Sequence, residues 1–132
     1  MPAVADLDWL IQPIAHRGLH DSANGIIENT ETAFQAAIDA GYAIECDVQP
    51  AEDAEVMVFH DLTLDRLTEA KGPVIAQPAA KLKRIRFRKS SDRMQTLSQL
   101  LEQVSSRVPL LIEIKSDWGP RGPFEQQLAK TL

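Results

Sequence analysis

Ile44-Glu45-Cys46-Asp47-Val48 constrains the chain more than any other stretch. Its apolar and acidic residues alternate, and side chains along a strand alternate between faces. Ile44, Cys46 and Val48 therefore call for a packed layer, while Glu45 and Asp47 share the opposite face. Two ionised carboxylates so close repel one another unless a cation or hydrogen-bond donors lie between them. A hard divalent cation with oxygen ligands resolves that repulsion most simply. An antiparallel strand with its polar face in water resolves it as well.

The flanking sequence favours the first solution. Pro13-Ile14-Ala15 enters a short apolar strand that ends in His16-Arg17-Gly18. Arg17 is a bidentate fork for anions, and Gly18 permits a sharp turn. After a polar loop, Asn29 or Thr30 caps a helix that runs to about Ala40 and stops at Gly41. Ala33, Phe34, Ala37 and Ile38 form its buried stripe. The central strand follows, so strand, helix and strand make a parallel unit.

Val56-Met57-Val58-Phe59-His60 reads as a third strand ending in histidine. The link from Asp47 to Val56 is too short for a crossover helix. Either the two strands form a hairpin, or an extended segment returns outside the sheet. The second arrangement is the one expected to bring Glu45, Asp47 and His60 to the same end. Asp61 to Val74 is a long loop or short helix. Thr96 opens a capping box with Gln99 ahead of Leu97, Leu100, Leu101 and Val104. Leu110 to Lys115 is a fourth strand, with Ile112 and Ile114 on one face and Glu113 and Lys115 on the other. Phe124, Leu128 and Leu132 align on a final helix. Trp9, Leu10 and Ile11 are expected to cover one end of the core.

Composition sets outer bounds. With 132 residues, 44% hydrophobic and 25% charged, the chain has enough apolar material for one ordered domain. A net charge of −5 argues against a general nucleic-acid binder. Seven basic residues do fall within 81–93, namely Lys81, Lys83, Arg84, Arg86, Arg88, Lys89 and Arg93. Only Phe87 accompanies them as a stacking platform, so a solvated surface is the preferred interpretation. Cys46 is the single cysteine, which excludes an internal disulfide and suits a reducing compartment. The acidic N-terminal stretch lacks the pattern of a signal peptide, and no membrane span is present. A cytoplasmic location is expected.

Four strands thus end in ionisable groups: His16, Glu45 with Asp47, His60, and Glu113 with Lys115. Such convergence at carboxyl ends of strands is characteristic of a barrel active site. The charges suit a phosphodiester. Three carboxylates, a divalent cation, Arg17 and Lys115 leave one positive charge for a monoanion to cancel. His16-Arg17-Gly18, Glu28-Asn29-Thr30, Ile44 to Val48, His60-Asp61 with Leu64, Arg66 and Thr68, and Ile112 to Lys115 together resemble the ordered motifs of the glycerophosphodiester phosphodiesterase family. The resemblance extends over residues 12–115. Ile27 departs from a frequent proline, and Ala54 from a common turn glycine.

The resemblance implies an α/β fold, a TIM (β/α)8 barrel of the phospholipase-C-like phosphodiesterase type. It implies hydrolysis of glycerophosphodiesters to sn-glycerol 3-phosphate and an alcohol. Glu45, Asp47 and Glu113 would ligate Ca²⁺ or Mg²⁺, and His16 and His60 would form the acid–base pair. Arg17 and Lys115 would bind the phosphate, with Glu28 and Asp61 orienting these side chains. The only partner implied is the small-molecule substrate. Such a barrel takes about 200 to 250 residues. Residues 1–132, with four parallel strands, are accordingly expected to be the N-terminal half of one barrel domain. Two rival readings are a non-catalytic module or inactive fragment holding metal and anion, and a nucleic-acid binder working through residues 81–93.

Overall fold

The computed structural model describes residues 8–115 and 122–132. Strand β1 (Ile14–His16) pairs in parallel with the first residues of β2 (Ala43–Pro50). Helix α1 (Glu31–Ala40) connects them. The Thr30 hydroxyl caps it by accepting from the Ala33 N–H, and Gly41, at φ +73°, ends it. Burial of Ala33, Phe34 and Ala37 seats α1 on the sheet, as the spacing predicted. Strand β4 (Leu110–Ile114) pairs in parallel with the other edge of β2, in a register that sets Asp47 beside Glu113.

Strand β3 (Val56–Val58) departs from expectation. It runs antiparallel to β2, with Val48 opposite Val58 and Pro50 opposite Val56. The chain therefore makes a hairpin, and three of the four strands are parallel rather than all four. The physical reason is the length of β2. Its last residues extend past the carboxylates and offer β3 a free ladder. Val48 pairs with Ile114 and Val58 at once, so β3 and β4 lie on opposite edges. Ile44 pairs with both Ala15 and Leu110, so β1 shares the β3 edge. β1 and β3 thus follow one another along one side of β2. The Phe59 N–H donates to the Asp47 carbonyl at 3.0 Å, so the hairpin returns His60 to the level of the carboxylates.

Two apolar cores flank the sheet. Ile44, Cys46, Val48, Val56 and Val58 pack with Phe34 of α1, with Leu97, Leu100 and Val104 of α3 (Leu97–Val104), and with Phe124 and Leu128 of α4 (Pro123–Thr131). The α3 capping box forms as expected. Met57 and Phe59, on the opposite face of the hairpin, join a second cluster with Leu64, Val74, Leu82, Phe87 and Met94. That cluster includes the short helix α2 (Ala79–Leu82). Two apolar expectations fail: Ile11 is 88% exposed and Leu132 is 70% exposed. Neither covers the core; the side chains of Trp9 and Leu10 lie outside those described. Among the described residues, nothing pairs with the outer edges of β1 and β4.

Candidate active site

Strand pairing assembles the charged face. His16 sits beside Glu45 in the β1–β2 register, and Asp47 sits beside Glu113 in the β2–β4 register. Parallel neighbours point the same way, so the four side chains share one face, opposite Ile44, Cys46 and Val48. Oxygens of Glu45, Asp47 and Glu113 lie within 4.8 Å of one another. Glu45 Oε1 and Asp47 Oδ1 are buried and without a hydrogen-bond partner among the described residues. Orphaned buried carboxylate oxygens are costly. Three converging carboxylates, two of them carrying an orphaned buried oxygen, fit a hard divalent cation.

Titration follows from this crowding. Burial, then the charges of Asp47 and Glu113, push the Glu45 carboxyl up to about 7. The hydrogen bond from Lys115 holds Glu113 below the ordinary carboxylate range. Lys115 Nζ lies 2.7 Å from Glu113 Oε1 and 3.9 Å from Asp47 Oδ1. His16 Nε2 is 3.4 Å from Glu45 Oε2 on the open side of the cluster.

The turn after β1 delivers the arginine. Arg17, at φ +59°, and Gly18, at φ +78°, are both left-handed, which swings Arg17 back over the sheet. Its Nη1 donates to Glu28 Oε2 at 2.6 Å, and its Nε lies 3.5 Å from Asp47 Oδ2. Burial raises the Glu28 carboxyl, but hydrogen bonds from Arg66 and Arg17 outweigh it and bring the carboxyl below its usual range. His60 Nδ1 lies 2.8 Å from Asp61 Oδ1. Asp61 in turn receives Arg66 on both oxygens, chiefly by which its carboxyl is lowered to about 2. His60, Asp61 and Lys115 line one groove of about 1410 Å³ with Gln49, Leu62 and Phe124.

Every residue that the family resemblance assigned to the site therefore falls in one connected region. Three contributors were not singled out for the site. Asn29, read there as a possible helix cap, instead bonds Asp47, and Thr30 does the capping. Gln49 Nε2 donates to the carbonyls of Phe59 and Asp61, fixing the chain on both sides of His60. Arg66 stood among the motif residues, but nothing local signals that it bridges Asp61 and Glu28. The basic residues of 81–88 and Lys89 are exposed, and Arg93 is half-buried.

Comparisons place this geometry. The glycerophosphoryl diester phosphodiesterase family profile matches residues 16–129. A glycerophosphodiester phosphodiesterase of Caldanaerobacter subterraneus is 36% identical over 127 residues, covering 90% of this chain and 51% of the relative. Among solved structures, an Oleispira antarctica phosphodiesterase in complex with the product sn-glycerol-3-phosphate matches with TM-score 0.79 and 27% identity, over 91% of this chain and 51% of that one. The glycerophosphodiester phosphodiesterase of Thermotoga maritima matches with TM-score 0.73 and 30% identity, over 91% and 48% respectively. The chain thus spans about half the length of these relatives and has the fold of half their TIM barrel. With matched residues running from His16 through Lys115 and on into α4, the chain belongs to the glycerophosphoryl diester phosphodiesterase family.

Proposed function

We propose that this chain carries the catalytic apparatus of a phosphodiesterase that hydrolyses glycerophosphodiesters to sn-glycerol 3-phosphate and an alcohol. The observation that carries the reading is the cluster of Glu45, Asp47 and Glu113, with two orphaned buried oxygens, set between His16, Arg17 and Lys115. Family membership and the product named in the Oleispira antarctica complex support the same reaction class.

Glu45, Asp47 and Glu113 would hold Ca²⁺ or Mg²⁺, which supplies Lewis-acid stabilisation of charge on the phosphoryl oxygens. Lys115 and the part of the Arg17 fork not engaged by Glu28 meet the remaining anionic oxygens. Asp61, ionised by Arg66, is only an acceptor, so the His60 proton sits on Nδ1 and Nε2 is left for proton transfer. One histidine, neutral, takes the proton of the attacking hydroxyl; this is water's, which gives sn-glycerol 3-phosphate directly, or the substrate's own, which gives a cyclic phosphodiester that water then opens to sn-glycerol 3-phosphate. The other, protonated, gives its proton to the leaving alkoxide as the phosphorus–oxygen bond breaks. Glu28 holds Arg17, and Asp61 holds His60.

A second reading, a non-catalytic module holding metal and anion, is favoured by the outer edges of β1 and β4, which are unpaired among the described residues, and by the 65% exposure of the His16 side chain. The deciding experiment is release of glycerol 3-phosphate from glycerophosphocholine, with added Ca²⁺ or Mg²⁺ and again after EDTA. Metal-dependent release is the expected result. Metal binding without release would favour the module.

A further inference from the structure

Arg66 lies outside the strands, on the loop that follows β3. Its placement is not casual. Leu64, buried, and Thr68, whose hydroxyl donates to the Leu64 carbonyl, pin the backbone on either side of it. Asp65 Oδ1 accepts from the Gly72 N–H and closes the loop. From that platform the guanidinium engages two carboxylates at once. Nε and Nη2 donate to Asp61 Oδ2 and Oδ1 at 2.7 and 2.9 Å, and Nη1 reaches Glu28 Oε1 at 2.6 Å. Beyond Asp61 lies His60, and beyond Glu28 lies Arg17. The chain of contacts is unbroken: His60, Asp61, Arg66, Glu28, Arg17, Asp47.

We infer that Arg66 is a positioning residue that ties the proton-transfer arm of the site to its phosphate-binding arm, a role that rests on the phosphodiesterase reading above. A carboxylate gripped at both oxygens cannot rotate. Asp61 is fixed as a bidentate acceptor, which fixes the His60 tautomer and ring plane. Glu28 is shared between Arg66 on one oxygen and Arg17 on the other, so the same guanidinium sets where Arg17 points. Lysine, a single point charge, cannot span two carboxylates in this way.

The test is side-chain nitrogen NMR of His60 and of Arg17 Nε–H, on the whole chain, in wild type, Arg66→Met, Arg66→Lys, Asp61→Asn and Glu28→Gln. In wild type His60 shows one tautomer, protonated at Nδ1. In Arg66→Met the tautomers mix and the Arg17 Nε–H exchanges roughly tenfold faster, and Arg66→Lys does not restore either signal. The sharper outcome is crossed: Asp61→Asn alters the Arg17 signal, and Glu28→Gln alters the His60 signal, each across Arg66. Kinetically, Arg66→Met raises KM and lowers kcat together, and its kcat effect shrinks in the Asp61→Asn background. Should Arg66→Met fail to fold, the crossed effects remain measurable in the other two variants. Unchanged His60 and Arg17 signals in a folded Arg66→Met, or the absence of crossed effects, overturns the tie and leaves the enzyme reading standing if wild type turns over. Changed signals in a chain without turnover keep the tie and overturn the enzyme reading.

Discussion

Asn29 Nδ2 donates to Asp47 Oδ2 at 3.0 Å, and the Asp47 backbone N–H donates back to Asn29 Oδ1 at 3.4 Å. Both residues are buried, and Asn29 holds a left-handed φ of +55°, a region its short polar side chain tolerates. The pair leaves Asp47 Oδ1 for the cluster. Asn29→Ala is expected to cost about 1–3 kcal/mol in chemical unfolding and to weaken Ca²⁺ binding about tenfold or more. Calorimetric titration showing wild-type affinity would remove Asn29 from the site.

Glu45 gives a pH signature. A carboxyl raised from 4.5 to about 7 on folding contributes stability that is fully present below 4.5 and lost as the pH rises through 7. Melting of the metal-free chain is therefore expected to fall across that window, by up to about 3 kcal/mol. Glu45→Gln flattens the slope, and Ca²⁺ or Mg²⁺ at pH 8 restores what was lost. Asp61 has the opposite sign, its contribution disappearing only as the pH drops from 3.8 through about 2. A flat metal-free profile between pH 5 and 8 in wild type would contradict the burial of an ionised Glu45.

The proposed acid–base roles of the two histidines make chemistry separable from binding. Neither is among the three carboxylate donors, so His16→Ala and His60→Ala are each expected to leave metal affinity nearly intact while lowering turnover by about 10²–10⁴-fold. Substantial turnover in either variant would sink the acid–base pair.

Gly18 carries the turn that aims Arg17. A Cβ there would meet the Ala33 backbone and Cβ at 2.9 Å, in a left-handed conformation that side chains avoid. Gly18→Ala is expected to cost at least about 1–2 kcal/mol from the backbone alone, to lower Tm, and to raise KM through Arg17. A variant with wild-type Tm and KM would show that the turn and α1 yield without effect.

The site was legible where its chemistry follows the strand period. Glu45, Asp47, Glu113 and Lys115 fall on one face because alternate residues must, and Ile44, Cys46 and Val48 identify the other face. The α1 and α3 caps were legible because Thr30, Gly41, Thr96 and Gln99 satisfy backbone groups locally. The direction of β3 was not. It depends on how far β2 extends past Asp47, which no residue advertises, and Ala54 takes φ +66° where glycine would have signalled a tight turn. Arg66 escaped for a related reason. Its partners are five and thirty-eight positions away, the second brought near only by the hairpin and loop.

β3 is three residues long and serves two cores. Val56 and Val58 belong to the layer under α3 and α4, while Met57 between them belongs, with Phe59, to the cluster around Leu64 and Phe87. Its far edge is engaged too, through Val58 N–H to the Gln95 carbonyl. A single residue inserted into the 51–55 turn would slip this strand by one place and hand each core the other's side chains. The 51–55 turn can therefore change length by even numbers or not at all.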